Sequence, residues 1–157
     1  MSEKMYGVYS SLDLMTASKI ADEALRLRAL HKFMPMSVAI LDSGGNLVCF
    51  KRDDGSGILR FDIAFGKAWG ALGMGLSSRQ IGKNLAERVA FQGAVAAASN
   101  GKFVPVPGGV LIINKEDQVI GAVGISGDAS EKDEFCAIGG IKLVNLTPIP
   151  KEAVSIT

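Results

Sequence analysis

The chain has 157 residues, of which 48% are hydrophobic, and 17 basic and 16 acidic residues give a formal net charge of +1. This composition predicts one folded domain rather than a disordered chain, and the lack of a basic stripe argues against nucleic-acid binding. No segment resembles a signal peptide or approaches the roughly 20 apolar residues of a membrane span. Cys49 and Cys136 lack metal-site spacing, which argues against a zinc site and predicts a protein of the reducing cytoplasm.

The N-terminal third of the chain predicts a helix followed by a β-hairpin. Helical spacing of apolar positions indicates a helix over residues 13–31, with a stripe formed by Ile20, Ala24, Leu27 and His31. Residues 37–41 and 47–52 are predicted strands, because the turn-forming sequence DSGGN lies between them.

The middle of the chain predicts two further helices. Residues 60–74 carry many small side chains, and Gly75 ends that helix. Ser77 and Gln80 have the spacing of a capping box, which predicts a second helix running towards Ser99.

The last third predicts a second hairpin and a final helix. Residues 110–114 and 118–126 are the predicted strands, a helix starts near Ser130 with Asp133 as a weaker capping partner, and residues 147–157 form a surface tail. The order α-β-β-α-α-β-β-α with two hairpins predicts antiparallel pairing, and therefore an α+β domain in which helices cover one sheet.

Two basic side chains stand out as candidate site residues. His31 is the single histidine and ends an apolar stripe near a helix C-terminus, where an imidazolium favours the helix dipole; the alternative is an axial ligand to haem iron. Lys67 shares a helix face with alanines, so it either extends outward to solvent or points into a pocket towards an acidic group.

Other candidates lie at glycine-rich turns. Arg52 and Asp54 follow a strand in the sequence RDDGSG, which pairs an anion-binding guanidinium with acid/base carboxylates. The turn at Ser126 and Gly127 precedes a helix, but it lacks the phosphate-loop motifs and is better explained by close packing of that helix on the sheet. Gly108 and Gly109 form either a turn or a pair of backbone amides open to ligand oxygens; these two alternatives stay open.

Four segments in series resemble the GlcG/HbpS-like haem-binding and haem-degrading family, which also forms the C-terminal domain of PduO-type cobalamin adenosyltransferases. The resemblance covers roughly residues 12–144 and rests on VAILDSGGNLVCFKRDDG (38–55), DIAFGKAWGA (62–71), PGGVLIINKEDQVIGAVGISG (107–127) and DEFCAIGGI (133–141).

The resemblance implies a profilin-like fold, with an antiparallel sheet of about five strands and flanking helices, that assembles into homo-tetramers or homo-octamers. It implies one domain over residues 1–146, followed by the tail at 147–157. The positions matching recurrent family residues are Arg52, Asp54, Lys67, Gly108, Gly109, Ser126, Gly127 and Asp133.

The leading hypothesis is an oligomeric small-molecule-binding protein, with haem or a related tetrapyrrole as its ligand. His31 would be the axial ligand, and Arg52 and Lys67 would pair with the propionates. The alternative is a metal-free enzyme acting on a small carboxylate or oxo acid, with Asp54 or Asp133 as the acid or base. A third class, a structural assembly subunit without a ligand, remains open.

Overall fold

The computed structural model describes residues 1–156, which form five helices and five strands. In chain order these are α1 (Leu14–Leu30), β1 (Ser37–Asp42), β2 (Leu47–Arg52), α2 (Leu59–Met74), α3 (Ser78–Leu85), α4 (Val89–Ala98), β3 (Gly109–Ile113), β4 (Val119–Ser126), α5 (Ser130–Leu143) and β5 (Thr147–Ile149).

The five strands form one antiparallel sheet in the order β2-β1-β4-β3-β5. Both predicted hairpins are present, and β1 joins them by pairing with β4, with Ser37 opposite Ser126. The α+β fold class and the antiparallel sheet are therefore confirmed. β2 and β5 are the edge strands, so the buried centre of the sheet is formed by β1, β4 and β3.

Each face of the sheet is covered by different helices, because alternate side chains of a strand point to opposite faces. Val38 and Ile40 of β1 belong to a core cluster with buried residues of α1 and α5. Leu41, on the opposite face, packs in a second cluster with Ala68 and Ala71 of α2. The small residues of α2 bring this helix close to the sheet.

Helix starts agree with the sequence prediction at one position and differ at another. The Ser77 hydroxyl accepts a hydrogen bond from the Gln80 backbone N–H at 3.2 Å, as expected of an N-cap residue. At α5, however, Ala129 is the N-cap residue and Ser130 is already helical. The Asp133 carboxylate reaches back beyond the cap to the backbone N–H of Asp128 at 3.1 Å.

Two predicted boundaries differ from the structure. The helix predicted from residue 78 to Ser99 is two helices, α3 and α4, separated at residues 86–88. The segment predicted as a surface tail begins with β5, whose Pro148 is buried and pairs with Ile112 of β3. Proline is tolerated there because β5 is an edge strand and needs no further donor on its outer side.

Candidate functional site

Lys67 and Asp133 form a buried ion pair between α2 and α5. The Lys67 ammonium donates hydrogen bonds to Asp133 Oδ2 at 3.0 Å and to the backbone oxygen of Ile125 at 2.9 Å. Their side chains are only 2% and 1% exposed. Of the two alternatives for Lys67, the structure therefore shows the inward orientation towards an acidic group, and this contact ties α2 to β4 and α5.

Burial dominates the electrostatics of this pair. Burial lowers the pKa of Lys67, and the neighbouring Asp133 carboxylate only partly offsets that effect. Burial likewise raises the pKa of Asp133, against the opposing influence of Lys67 and of backbone N–H groups that bind the carboxylate. Burial therefore destabilises the charged form of each group. The contact between the two side chains offsets part of this desolvation cost.

The glycine-rich turns close over the buried pair. Gly108 has φ +120°, and a Cβ at this position would lie 2.9 Å from Lys67 Nζ, so both its backbone angle and its position exclude a side chain. The Gly109 N–H is bound to the Ser78 hydroxyl at 2.7 Å, so that amide is already occupied. For these two residues the structure favours the close-packed turn over open amides.

Ser126 and Gly127 lie at the same end of the sheet. Ser126 is fully buried and its hydroxyl accepts a hydrogen bond from Arg60 Nη1 at 3.1 Å. Gly127 packs against the backbone of Pro35 and Met36. The fold thus gathers six of the predicted site residues, which are far apart in sequence: Lys67, Gly108, Gly109, Ser126, Gly127 and Asp133.

Arg52 and Asp54 are not part of this cluster. Both side chains are exposed, Arg52 at the end of edge strand β2 and Asp54 in the following turn. The carboxylate of this loop that makes structural contacts is Asp53, which accepts hydrogen bonds from Arg28 Nε at 2.9 Å and from the Met36 N–H at 3.0 Å.

His31 lies on a separate aromatic surface. It is the C-cap residue of α1, as its position in the stripe predicted, and its imidazole is exposed. The ring stacks on Phe33 at a centroid distance of 5.3 Å and meets the edge of Phe135 at 5.0 Å. We call these three residues the His31 surface; the Lys132 ammonium lies 5.2 Å from the Phe33 ring.

A groove continues from the His31 surface along α5. It has a volume of about 390 Å³ and lies between α5 and the C-terminal segment, with Phe135 and Lys142 among its lining residues. The exposed imidazole and the two phenyl rings suit a flat, largely apolar ligand. The ammonium groups of Lys132 and Lys142 are already paired, with Asp128 and Glu152 at 3.1 Å.

Sequence analysis missed the buried carboxylate of Glu134. Its side chain is completely buried, and Oε1 lies 3.2 Å from Arg79 Nη1. The contact with Arg79 is an ion pair without hydrogen-bond geometry. Neither carboxylate oxygen accepts a hydrogen bond from the described residues 1–156. Burial raises the pKa of Glu134, with Arg79 opposing the shift. Nothing in the sequence marks this position, because its partner Arg79 is distant in the chain.

Residues 1–156 contain neither a membrane-spanning helix nor a cluster of metal-ligating side chains. No helix among residues 1–156 is long and apolar enough to cross a membrane. In the same residues, no three His, Cys, Asp or Glu side chains are grouped so that they could hold a metal ion.

Comparison with known proteins gives matches over most of the chain. A family model described as "Haem degrading protein HbpS-like" matches residues 12–142. A Citrobacter freundii protein, described as an uncharacterized 15.0 kDa protein in the dhaT-dhaS intergenic region, is 28% identical over 128 residues, covering 82% of this chain and 88% of the relative.

Solved structures show the same fold. A PduOC–haem complex superposes with a TM-score of 0.78 at 24% identity, covering 86% of this chain and 96% of that one. The Klebsiella pneumoniae protein ORFY gives 0.77 at 23% identity, covering 92% and 97%. A double mutant of Streptomyces reticuli HbpS gives 0.73 at 23% identity, covering 92% and 93%.

Proposed function

Because this chain belongs to the HbpS-like family, we propose that it is a small-molecule-binding protein whose ligand is haem or a related tetrapyrrole. The observation that carries the proposal is the His31 surface, where an exposed imidazole is held in place by two phenyl rings. Imidazole is a common axial ligand of haem iron, and the PduOC relative of the same fold was solved as a haem complex.

The residues around His31 fit such a ligand. Phe33 and Phe135 offer apolar faces to a flat macrocycle. Lys132 and Lys142 pair with Asp128 and Glu152 at 3.1 Å, but both pairs are partly exposed, so acidic substituents of a ligand could compete for the two ammonium groups. When bound, haem would supply a redox-active iron. The chain would supply the imidazole of His31 as nitrogen ligand and the apolar contact of Phe33 and Phe135. Lys67 is left out of the propionate role because its ammonium is buried and bound to Asp133.

The test is a haemin titration followed by absorbance on the wild type, His31→Ala and Cys49→Ser. We expect a sharp Soret band that saturates at one haem per chain, and a loss of affinity of at least about tenfold in His31→Ala. Cys49→Ser is the matched control. A thiol is a side chain of another type that can bind haem iron, and Cys49 is half-buried, so we expect its removal to leave haemin binding unchanged. A band that persists in His31→Ala contradicts the assignment of His31.

The alternative, a metal-free enzyme acting on a small carboxylate or oxo acid, gains less support from the geometry. Asp133 is 1% exposed and its carboxylate already binds Lys67 and the Asp128 N–H. Asp54 is exposed, and within residues 1–156 no cation pairs with it to hold it in place as a general base. Turnover that survives in an Asp54→Asn/Asp133→Asn variant would remove both residues from any such chemistry.

We also propose that the protein is a homo-oligomer in the cytoplasm. The support for assembly is α4, an apolar helix of which no residue is buried within the protomer. Cys49 and Cys136 are free thiols, which fits a reducing compartment.

A further inference from the structure

A second cavity lies between α2 and α4, on the opposite face of the sheet from the His31 surface. Its volume is about 280 Å³. The wall is mostly apolar and contains the only tryptophan of the chain. The lining residues are Trp69, Gly70, Met74, Val95, Ser99 and Phe103, together with Gly73 and Ala98.

Glycines in α2 keep this cavity open. Gly73 lies in the interior of the helix, where alanine would be more favourable by roughly 0.5–1 kcal/mol. A Cβ at Gly73 would make only an ordinary contact with the Trp69 ring at 3.7 Å, so no packing constraint excludes a side chain there. The opposite wall includes Val95 and Ala98 of α4, a helix in which no residue is buried.

One positive charge lies beside the cavity, next to the Trp69 ring and outside the lining residues. The Lys102 ammonium is 5.4 Å from the centroid of the Trp69 ring, within the range of a cation–π contact. The ion pairs formed among residues 1–156 do not include Lys102. The cavity therefore has aromatic and aliphatic walls, and beside it lies one ammonium that contacts Trp69 and forms no ion pair among residues 1–156.

We propose that the Trp69 cavity binds a small monocyclic aromatic carboxylate. The ring would pack against Trp69 and Phe103, and the carboxylate would bind Lys102. Ligand sites of this kind are mainly apolar with a few polar groups that fix orientation. An apolar cavity of about 150 Å³ holds a benzene ring, so the observed volume of about 280 Å³ leaves room for one ring and its acidic substituent.

The test is a titration with benzoate and phenylacetate, followed by Trp69 fluorescence and by calorimetry. We expect a saturable fluorescence change, and an affinity for benzamide weaker by about tenfold, the effect of losing one charged contact. Lys102→Met should weaken benzoate binding to a similar extent. Lys115→Met, which removes an exposed lysine in the β3–β4 turn, is the matched control and should leave binding unchanged.

A second variant tests the cavity itself. Gly73→Leu fills the space beside Trp69 and should abolish the benzoate response while leaving the haemin titration unchanged. Equal affinity for benzoate and benzamide, or full binding by Gly73→Leu, would overturn the proposal. A third outcome would also overturn it: Trp69 fluorescence that changes on dilution of the protein but not on addition of an aromatic carboxylate. That result would mean that a second copy of the chain occupies the cavity.

Discussion

Lys67 and Asp133 show how burial and charge oppose each other at single residues. The raised pKa of Asp133 means that its ionised form costs stability above that pKa, and the cost is relieved as the pH falls through it. The lowered pKa of Lys67 means that its charged form costs stability below that pKa, and the cost is relieved as the pH rises through it. Between the two titrations both costs are present, and the ion pair is what offsets them.

Lys67→Met should therefore be far more harmful than removal of both charges. Breaking one side of a buried pair costs about 3–5 kcal/mol, whereas replacing both partners with apolar residues is often neutral. We expect Lys67→Met to lose that much free energy of unfolding near neutral pH, and Lys67→Met/Asp133→Leu to recover most of it. Urea denaturation of the two variants and the wild type measures the difference.

The deficit of Lys67→Met should also depend on pH. Without the ammonium, the Asp133 carboxylate stays buried and unpaired, so protonation restores stability as the pH falls through the raised pKa of Asp133. Lys51→Met is the control, since Lys51 forms an exposed pair with Asp22 and should change stability by less than about 1 kcal/mol. A double variant no more stable than Lys67→Met would show that the unpaired Asp133 charge is not the source of the loss.

At the level of elements, the contact between α2 and β4 depends on Gly124. A Cβ at this position would overlap the backbone oxygen of Ala64 and lie 3.0 Å from the Ala68 Cβ. The clash is with the helix backbone, so relief requires α2 to move away from the sheet. This helix also carries Lys67, and its distance from β4 sets the geometry of the buried pair.

Gly124→Ala and Gly93→Ala should consequently change stability in opposite directions. Gly124→Ala overpacks the core and should cost about 1–3 kcal/mol or more. A Cβ at Gly93 in α4 meets nothing within 4 Å, so alanine there should raise stability by roughly 0.5–1 kcal/mol. Thermal unfolding at one protein concentration compares the two. Equal effects would mean that α2 tolerates displacement from the sheet.

Secondary-structure elements could be predicted where their own sequence carries the signal. They could not be predicted where contacts with other parts of the fold determine them. The first hairpin was predictable from the turn sequence DSGGN at residues 42–46, and the second from the strand patterns on either side of the polar turn at residues 115–117. The break between α3 and α4 falls at residues 86–88, which contain neither glycine nor proline. β5 is three residues long with a central proline, so its place in the sheet depends on the edge of β3 rather than on its own sequence.

The same limit applies to the candidate site. Lys67 was identifiable because a lysine on an alanine face is unusual, yet its partner Asp133 is 66 residues away. In the loop after β2, the sequence does not distinguish Asp53 from Asp54, and only the fold shows that Arg28 binds the former. Arg60 and Glu134 gave no signal, because their contacts with Ser126 and Arg79 exist only in three dimensions.

At the level of the whole molecule, α4 is an apolar helix that contributes no buried residue to the core of the protomer. Its sequence VAFQGAVAAA contains no charged residue, yet no residue in it is buried, and Val89 and Phe91 are 77% and 40% exposed. A helix that is apolar on all sides is normally buried, and obligate subunit interfaces bury apolar surface of this kind. We therefore expect α4 to pack against another copy of the chain in the homo-oligomer proposed above.

Light scattering coupled to size exclusion tests this expectation. The wild type should have several times the protomer mass of 16.5 kDa, with a tetramer or octamer as the proposed states. Val89→Asp places a charge on the exposed face of α4 and should shift the protein towards the protomer, because an unpaired charge is costly to bury in an interface. Leu143→Asp makes the same kind of change at a residue of α5 that is 55% exposed, and should leave the mass unaltered. A wild type that is a stable monomer at micromolar concentration would contradict assembly through α4, and α4 would then expose its apolar surface to water.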